Sequence, residues 1–355
     1  VAALGEFELI ARYFTRPGRE RQGIGDDCAL IDVADRTLAL TTDLLVEGVH
    51  FFPGAPAEAL GHKALAVNLS DLAAAGARPR CFLLGLTLPR ADPSWLEDFS
   101  RGLFALADAH GCTLIGGDTT RAPLIDVPGA GADRAARVAG TTIPATDIAS
   151  AVRGPLTISI TAIGEVDRQA LRGRSGARPG DDIWVSGRLG EAALGLAIRR
   201  GQIRLPDLDR DACLLRMDRP TPRVELGLAI AGIADAAIDV SDGMVGDLGH
   251  ILARSGVGAT VRWADVPRAA CFDHLDIALQ HRCVLAGGDD YELVFTAPPE
   301  RRPAICALVT ADLALTRIGS IESSPGLRVL DDTGIPLRTT LSGFDHFGPG
   351  NDGAA

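Results

Sequence analysis

The clearest pattern of apolar and polar positions lies between Ser94 and His110, where Leu96, Phe99, Leu103 and Leu106 recur at intervals of three and four residues. That spacing lays one apolar stripe along a helix. Ser94 and Glu97 have capping-box spacing at its start, and Gly111 stands as a stop at its end. Glu58 to Ala77 is rich in Ala and Leu over helical length and predicts a second, largely apolar helix. Between these lie short apolar runs. Thr37 to Thr42 predicts a strand ending at Asp43, and Cys112 to Ile115 a buried strand running into the turn Gly116-Gly117-Asp118.

The same alternation continues after Arg174. Strands are expected at Asp182 to Ser186, Ala236 to Val240 and Tyr291 to Thr296. Helices are expected at Gly190 to Arg200, at Val224 to Ile233 behind the breaker Pro220-Thr221-Pro222, and from Ser241-Asp242-Gly243 to about Arg254. Alternating strands and helices predict an α/β protein, and 355 residues are too many for one small core. Two domains are therefore expected, over 1–166 and 167–347, with a frayed tail at 348–355. Ala122 to Arg153 breaks the pattern: it is rich in Ala, Gly, Pro, Asp and Thr, and predicts a surface insertion in the first domain.

Composition narrows the function. No apolar run approaches ~18 residues, so no membrane-spanning helix is expected. Val1 to Arg12 has neither a basic n-region nor an apolar h-region, so no export signal is expected. The seven cysteines show no C-x-x-C spacing, which favours reduced thiols and a cytoplasmic protein. A net charge of −11 without a basic run argues against nucleic acid. Lys63 is the sole lysine and follows His62, so the chain has no P-loop. Any phosphate must be handled by arginine, backbone N–H groups and metal ions.

The candidate chemistry is a series of aspartates at strand ends or within apolar helices: Asp26, Asp27, Asp43, Asp71, Asp118, Asp239, Asp242, Asp289 and Asp290. Each alone reads equally well as a turn or cap residue. Asp71 is harder to place that way, because it follows Asn68 by three residues on one face of an apolar helix, where an unpaired carboxylate is costly. Gathered at strand ends, such groups would repel by roughly 4 kcal/mol per pair at ~4 Å and an effective dielectric of about 20. Mg²⁺ relieves that repulsion and completes its octahedron with water and phosphate. Ser241 is a candidate N-cap at a helix start that could also hold phosphate, with Gly243 allowing close approach. Thr41 and Thr42 alternate faces, so at most one faces the crevice. His50 sits in a turn where an exposed imidazole is the default. Arg174, in Arg-Gly-Arg-Ser-Gly, could close over phosphates or remain a solvated loop residue. No arrangement suggests a covalent nucleophile.

Taken in order, these segments resemble the thiamine-monophosphate kinase family. The resemblance runs through Gly-Ile-Gly-Asp-Asp-Cys-Ala (23–29), Thr-Thr-Asp-Leu-Leu-Val-Glu-Gly-Val-His-Phe (41–51), Lys-Ala-Leu-Ala-Val-Asn-Leu-Ser-Asp-Leu (63–72) and Gly-Gly-Asp-Thr-Thr-Arg (116–121). It continues with Arg-Ser-Gly-Ala-Arg-Pro-Gly-Asp (174–181), Ile-Asp-Val-Ser-Asp-Gly (238–243), Gly-Gly-Asp-Asp-Tyr-Glu-Leu (287–293) and Gly-Phe-Asp-His-Phe (343–347). It implies a two-domain ATP-binding fold of mixed α/β sheets, like that of aminoimidazole ribonucleotide synthetase, and a homodimer joined by a barrel-like interface of N-terminal domains. It implies ATP and thiamine monophosphate as substrates and several Mg²⁺ ions. Carried over residue by residue, Asp27, Thr41, Thr42, Asp43, Asp71, Asp118, Asp239 and Asp242 would bind metal. Gly117, Asp118, Arg174 and Ser241 would contact ATP, and His50, Asp289 and Phe344 would meet the thiamine phosphate. The chain departs from the family's pattern in the 122–153 insertion, in Asp289 where Glu is common, and in Phe344 where Tyr or Trp is common. The residues also leave open a superfamily relative with another acceptor, and a non-catalytic nucleotide or metal sensor.

Overall fold

The computed structural model describes residues 6–13, 26–125, 152–167, 173–337 and 343–344. After the short helix α1 (Glu6–Tyr13), the first half builds a five-stranded sheet from β1 (Ala29–Val33), β2 (Arg36–Val46), β3 (Arg78–Leu88), β4 (Thr113–Arg121) and β7 (Thr157–Val166). The order is β1-β2-β7-β3-β4, antiparallel except for the parallel pair β3 and β4. A parallel pair needs a crossover, and helix α3 (Pro93–Ala109) supplies it. The two-residue strands β5 (Leu124–Ile125) and β6 (Val152–Arg153) pair antiparallel at the base of the expected insertion. The insertion itself and the expected tail at 348–355 lie outside the described residues.

Helix α2 (Ala57–Ala74) explains why its sequence lacks a polar face. It packs against α3, β2 and β7 on the side of the first sheet and against α6 (Val224–Ile230) and β9 (Ala236–Asp239) on the other. A helix enclosed on every side is apolar all round. Its approach to α3 is close enough that a Cβ on Gly102 would fall 1.8 Å from the Glu58 carbonyl oxygen.

The second sheet contains β8 (Asp182–Ser186), β9, β10 (Gly258–Arg262), β11 (Leu293–Ala297), β12 (Leu315–Glu322) and β13 (Gly326–Leu330), in the order β13-β10-β12-β8-β11-β9. Its central strands are buried on both faces. Trp184, Leu293 and Phe295 point into the core shared with α2 and the first sheet, while Ile183, Val185 and Val294 point into a second core. That second core also takes residues from α4 (Glu191–Arg199), α5 (Asp207–Asp218), α7 (Met244–Ser255) and α8 (Ile277–Ala286). Helix α9 (Arg302–Cys306) contributes Ile305 to the first core. Double burial accounts for continuous apolar runs where a half-exposed strand would alternate.

Several sequence expectations shift by physical causes visible here. Helix α3 is capped by Asp92, whose carboxylate accepts from Ser94 N–H at 3.2 Å, with Pro93 in the first turn, so Ser94 does not cap. Strand β2 runs on through Asp43 to Val46. Strand β4 is a largely exposed edge that incorporates Gly116-Gly117-Asp118, so that segment is strand and not a turn. Helix α7 starts behind Gly243, not on Ser241. No side chain caps it, and the Asp247 carboxylate reaches back to the N–H of Asp242 at 3.1 Å.

Candidate active site

The two sheets and α2 enclose a cavity of about 970 Å³. One wall is a stripe of α2 (Leu60, Lys63, Val67 and Asp71), spaced three and four residues apart so that all face the same way. Asp43 from β2, Asp239 from the end of β9, and Ser241 and Asp242 beyond it close the acidic end. His50, Phe51, Phe52 and Phe344 also line the cavity, with Phe344 next to Asp242.

At the acidic end, Asp27, Asp71 and Asp239 each place a carboxylate oxygen within 4.8 Å of the others. Burial, then the charges of Asp43, Asp239 and Asp27, holds the Asp71 carboxyl well above the usual range. Burial and the neighbouring Asp27 push Asp239 up to about 8, against a 2.6 Å hydrogen bond donated by Ser70 Oγ. Burial and Asp242 push Asp43 up to about 6. Asp27 is raised by burial in spite of its 2.8 Å ion pair with Arg174. Strand alternation puts Thr41 beside Asp43, and the Thr41 hydroxyl donates to Asp71. Thr42 faces the other way, its hydroxyl bonded to the Ile160 carbonyl at 3.1 Å and to the Thr161 hydroxyl at 2.9 Å. Asn68 does not line the cavity; its amide donates back to the Ala64 carbonyl at 3.2 Å.

Hard oxygen donors this crowded and this short of counter-charge fit Mg²⁺. They also set a test. Asp43 and Asp239 have folded-state pKa values above the ordinary 3.8. The folded chain therefore binds more protons than the unfolded chain from about pH 4 to pH 8, and stability without metal falls as pH rises through that window. At pH 8, Mg²⁺ at about a hundredfold above Kd is expected to restore about 2.7 kcal/mol, a rise in Tm of about 4 °C. The gain should shrink at pH 5, where both carboxyls are protonated. Thermal unfolding with Mg²⁺ and with EDTA at each pH measures it, and no Mg²⁺ effect at pH 8 would count against a metal site.

Arg174 reaches the cluster from the segment that precedes β8. Its backbone N–H donates to Asp26 and its guanidinium to Asp27, both at 2.8 Å, while its buried Nε has no partner among the described residues. The loop from Ser241 to Gly243 nests against the loop from Gly287 to Glu292. Asp289 N–H donates to the Ser241 carbonyl at 2.9 Å, and a Cβ on Gly288 would lie 2.2 Å from that oxygen, so only glycine fits. Phe344 is tied to the same loop by its N–H to the Asp242 carbonyl at 2.9 Å. His50 is half-buried; Nδ1 accepts from Val46 N–H at 3.0 Å, which leaves the proton of the neutral ring on Nε2. Asp290, by contrast, faces away and accepts from the Gly190 N–H at 2.8 Å, ahead of α4. Gly117 and Asp118 lie on exposed β4 and do not line the cavity.

Three cavity features went unnoticed in the sequence. Lys63 forms a 2.8 Å ion pair with Asp289, and its place three residues after Leu60 and eight before Asp71 was a readable signal. Tyr291 donates to the same carboxylate at 3.0 Å. Arg199, paired with Asp218 at 2.6 Å, lies over the Phe52 ring.

The model for "AIR synthase related protein, N-terminal domain" matches residues 25–132, and that for the corresponding C-terminal domain matches 178–332. Thiamine-monophosphate kinase of Salmonella typhimurium is 42% identical over 354 residues, covering 97% of this chain and 99% of its own. The crystal structure of thiamine-monophosphate kinase from Stenotrophomonas maltophilia is 43% identical with a TM-score of 0.72, covering 90% of this chain and 92% of its own. The complex of AaThiL with AMPPCP and TMP is 30% identical, with a TM-score of 0.76 and 97% of each chain covered. With likeness of this extent in both sequence and fold, the chain belongs to the thiamine-monophosphate kinase family.

Proposed function

We propose that this chain transfers the γ-phosphoryl group of ATP to thiamine monophosphate, giving thiamine diphosphate and ADP. The observation that carries the reading is the convergence of Asp27, Asp71 and Asp239 beside a cavity that is also lined by Phe51, Phe52 and Phe344. The names of full-length relatives and the binding of AMPPCP and TMP by a solved relative support it.

Bound Mg²⁺ would neutralise charge on the phosphates in a direct in-line displacement. Asp27, Asp43, Asp71, Asp239 and Asp242 would hold it, with Thr41 fixing the Asp71 carboxylate by its hydrogen bond. Arg174, whose Nε has no partner among the described residues, and the N-terminal end of α7 behind Ser241 and Gly243 suit nucleotide phosphate. His50 offers Nε2–H to the acceptor, Asp289 an acceptor for its polar edge, and Phe344 a face for its ring. The attacking phosphate oxygen is already ionised, so the site has no need of a strong general base. Thr42 and Asp118 would serve only through the backbone or across an assembly.

We extend the proposal to a homodimer and to the domain limits 1–166 and 167–347. The face of the first sheet opposite α2 carries exposed Leu44, Leu83 and Ile115, and among the described residues no helix covers it and β4 is an edge strand. A second copy covering both in a barrel-like interface would remove an apolar patch and a free strand edge. A cytoplasmic setting suits seven unpaired cysteines, and among the described residues no helix is long and apolar enough to cross a membrane.

Mg²⁺-dependent ADP release is the test. Thiamine monophosphate is expected to support turnover, while thiamine and aminoimidazole precursors support little, and the active species should sediment as a dimer. ATP binding without turnover on thiamine monophosphate would point to a sensor and sink the reading.

A further inference from the structure

The single lysine of this chain lies inside the cavity, and the proposed function leaves it without a task. The Lys63 side chain is only 6% exposed, yet its ammonium reaches the Met217 carbonyl at 3.1 Å and Asp289 Oδ2 at 2.8 Å. The other oxygen of the same carboxylate accepts from the Tyr291 hydroxyl at 3.0 Å. Asp289 and Tyr291 both have left-handed backbones, with φ of 69° and 50°. Non-glycine residues hold that conformation only where their surroundings over-determine it. Here the surroundings are the hydrogen bonds to Ser241 and Val240 and the grip of Lys63.

Resting on the acceptor site argued above, we propose that Lys63 and Tyr291 are positioning residues that clamp Asp289 as a recognition group for thiamine monophosphate and withhold it from the metal cluster. Asp289 has each oxygen engaged by a neighbouring side chain, one of them by a full positive charge. It is consequently a poor candidate to join Asp71 and Asp239 around a cation, and a fixed acceptor for the polar edge of an incoming ring. Helix α2 enforces the division. Lys63 and Asp71 lie on the same stripe eight residues apart, or about 12 Å along the axis. One rigid element thus sets the separation between the group that holds the acceptor and the group that holds the metal.

The clamp predicts a split between kinetic constants. Lys63→Met is expected to raise KM for thiamine monophosphate about tenfold or more, with KM for ATP and kcat within about threefold of wild type. Tyr291→Phe, which deletes a single hydroxyl, should raise the same KM about two- to tenfold and keeps the test available if Lys63→Met does not fold. In an Asp289→Asn background, both substitutions should add less than about twofold, because they act through that carboxylate. Effects that multiply with Asp289→Asn, or a fall in kcat at unchanged KM, overturn the clamp. Wild-type turnover on thiamine monophosphate tests the underlying reading separately: its absence sinks the function, while variants with unaltered KM beside an active wild type sink only the clamp.

Discussion

Asp43→Asn is expected to lower kcat for phosphoryl transfer by about a thousandfold while the chain stays folded. Asp43 faces inward from the middle of β2, on the same side as Thr41. Burial and the Asp242 charge hold its carboxyl up to about 6, and a hydrogen bond with Asp71 works the other way. The amide keeps the shape and the capacity to hydrogen-bond Asp71, but it can neither neutralise a cation nor share one with phosphate. The fold should tolerate the change, since β2 is held by backbone ladders to β1 and β7. Removing one of several repelling charges should also leave Tm in EDTA at pH 8 equal to or above that of wild type, and the rise in Tm on adding Mg²⁺ should shrink. Steady-state kinetics and thermal unfolding on one preparation decide it. Activity within tenfold of wild type would remove Asp43 from the metal site.

The layers of the fold were legible because local pattern and final environment agree. The α3 stripe puts Phe99 and Leu103 into the core as its spacing predicts, and the dense apolar runs give strands buried on both faces, the first at 182–186 as expected and the second shifted from 291–296 to Leu293–Ala297. What was lost depended on partners distant in sequence. The apolar Cys112 to Ile115 run predicts a buried strand, yet Ile115 is 59% exposed. An apolar pattern does not say whether its cover is the same chain or a second copy. The cap of α3 was misplaced because Ser94 was matched to Glu97 while Asp92-Pro93, a stronger start signal, stood two residues earlier.

The site divides in the same way. Asp27, Asp71 and Asp239 could be suspected singly from their apolar surroundings, but their convergence within 4.8 Å joins a loop, a helix and a strand end from both halves of the chain. Alternation on β2 was enough to separate Thr41 from Thr42, as the sequence indicated. The sequence around Lys63 rules out a P-loop and says nothing more of its role. Its actual partner lies 226 residues away, and no local pattern announces such a pair.

Glu292→Gln is expected to destabilise the chain by about 3–5 kcal/mol, the range for breaking a buried ion pair from one side. Glu292 is fully buried and answers two arginines: Arg223 donates at 2.7 and 2.6 Å and Arg216 at 2.7 Å, while the Ser186 hydroxyl adds a bond of 2.5 Å. Glutamine keeps the length of the side chain, so packing against Gly187 survives. The two guanidinium groups lose their counter-charge, with side chains only 19% and 15% exposed. The loss also reaches the active site, because the Glu292 carbonyl accepts from Val240 N–H at 2.8 Å and so anchors the end of the loop that carries Asp289. Tm should fall by about 4–7 °C, with a higher KM for thiamine monophosphate in the fraction that remains folded. Pairing the change with Arg216→Met and Arg223→Met isolates the charge: the triple variant, with all three charges replaced, should recover part of the lost stability. If Glu292→Gln alone stayed within about 1 kcal/mol of wild type by urea unfolding, the arginines would have to be satisfied by solvent, and the loop would owe its shape to its backbone bonds to Val240 and Ser241.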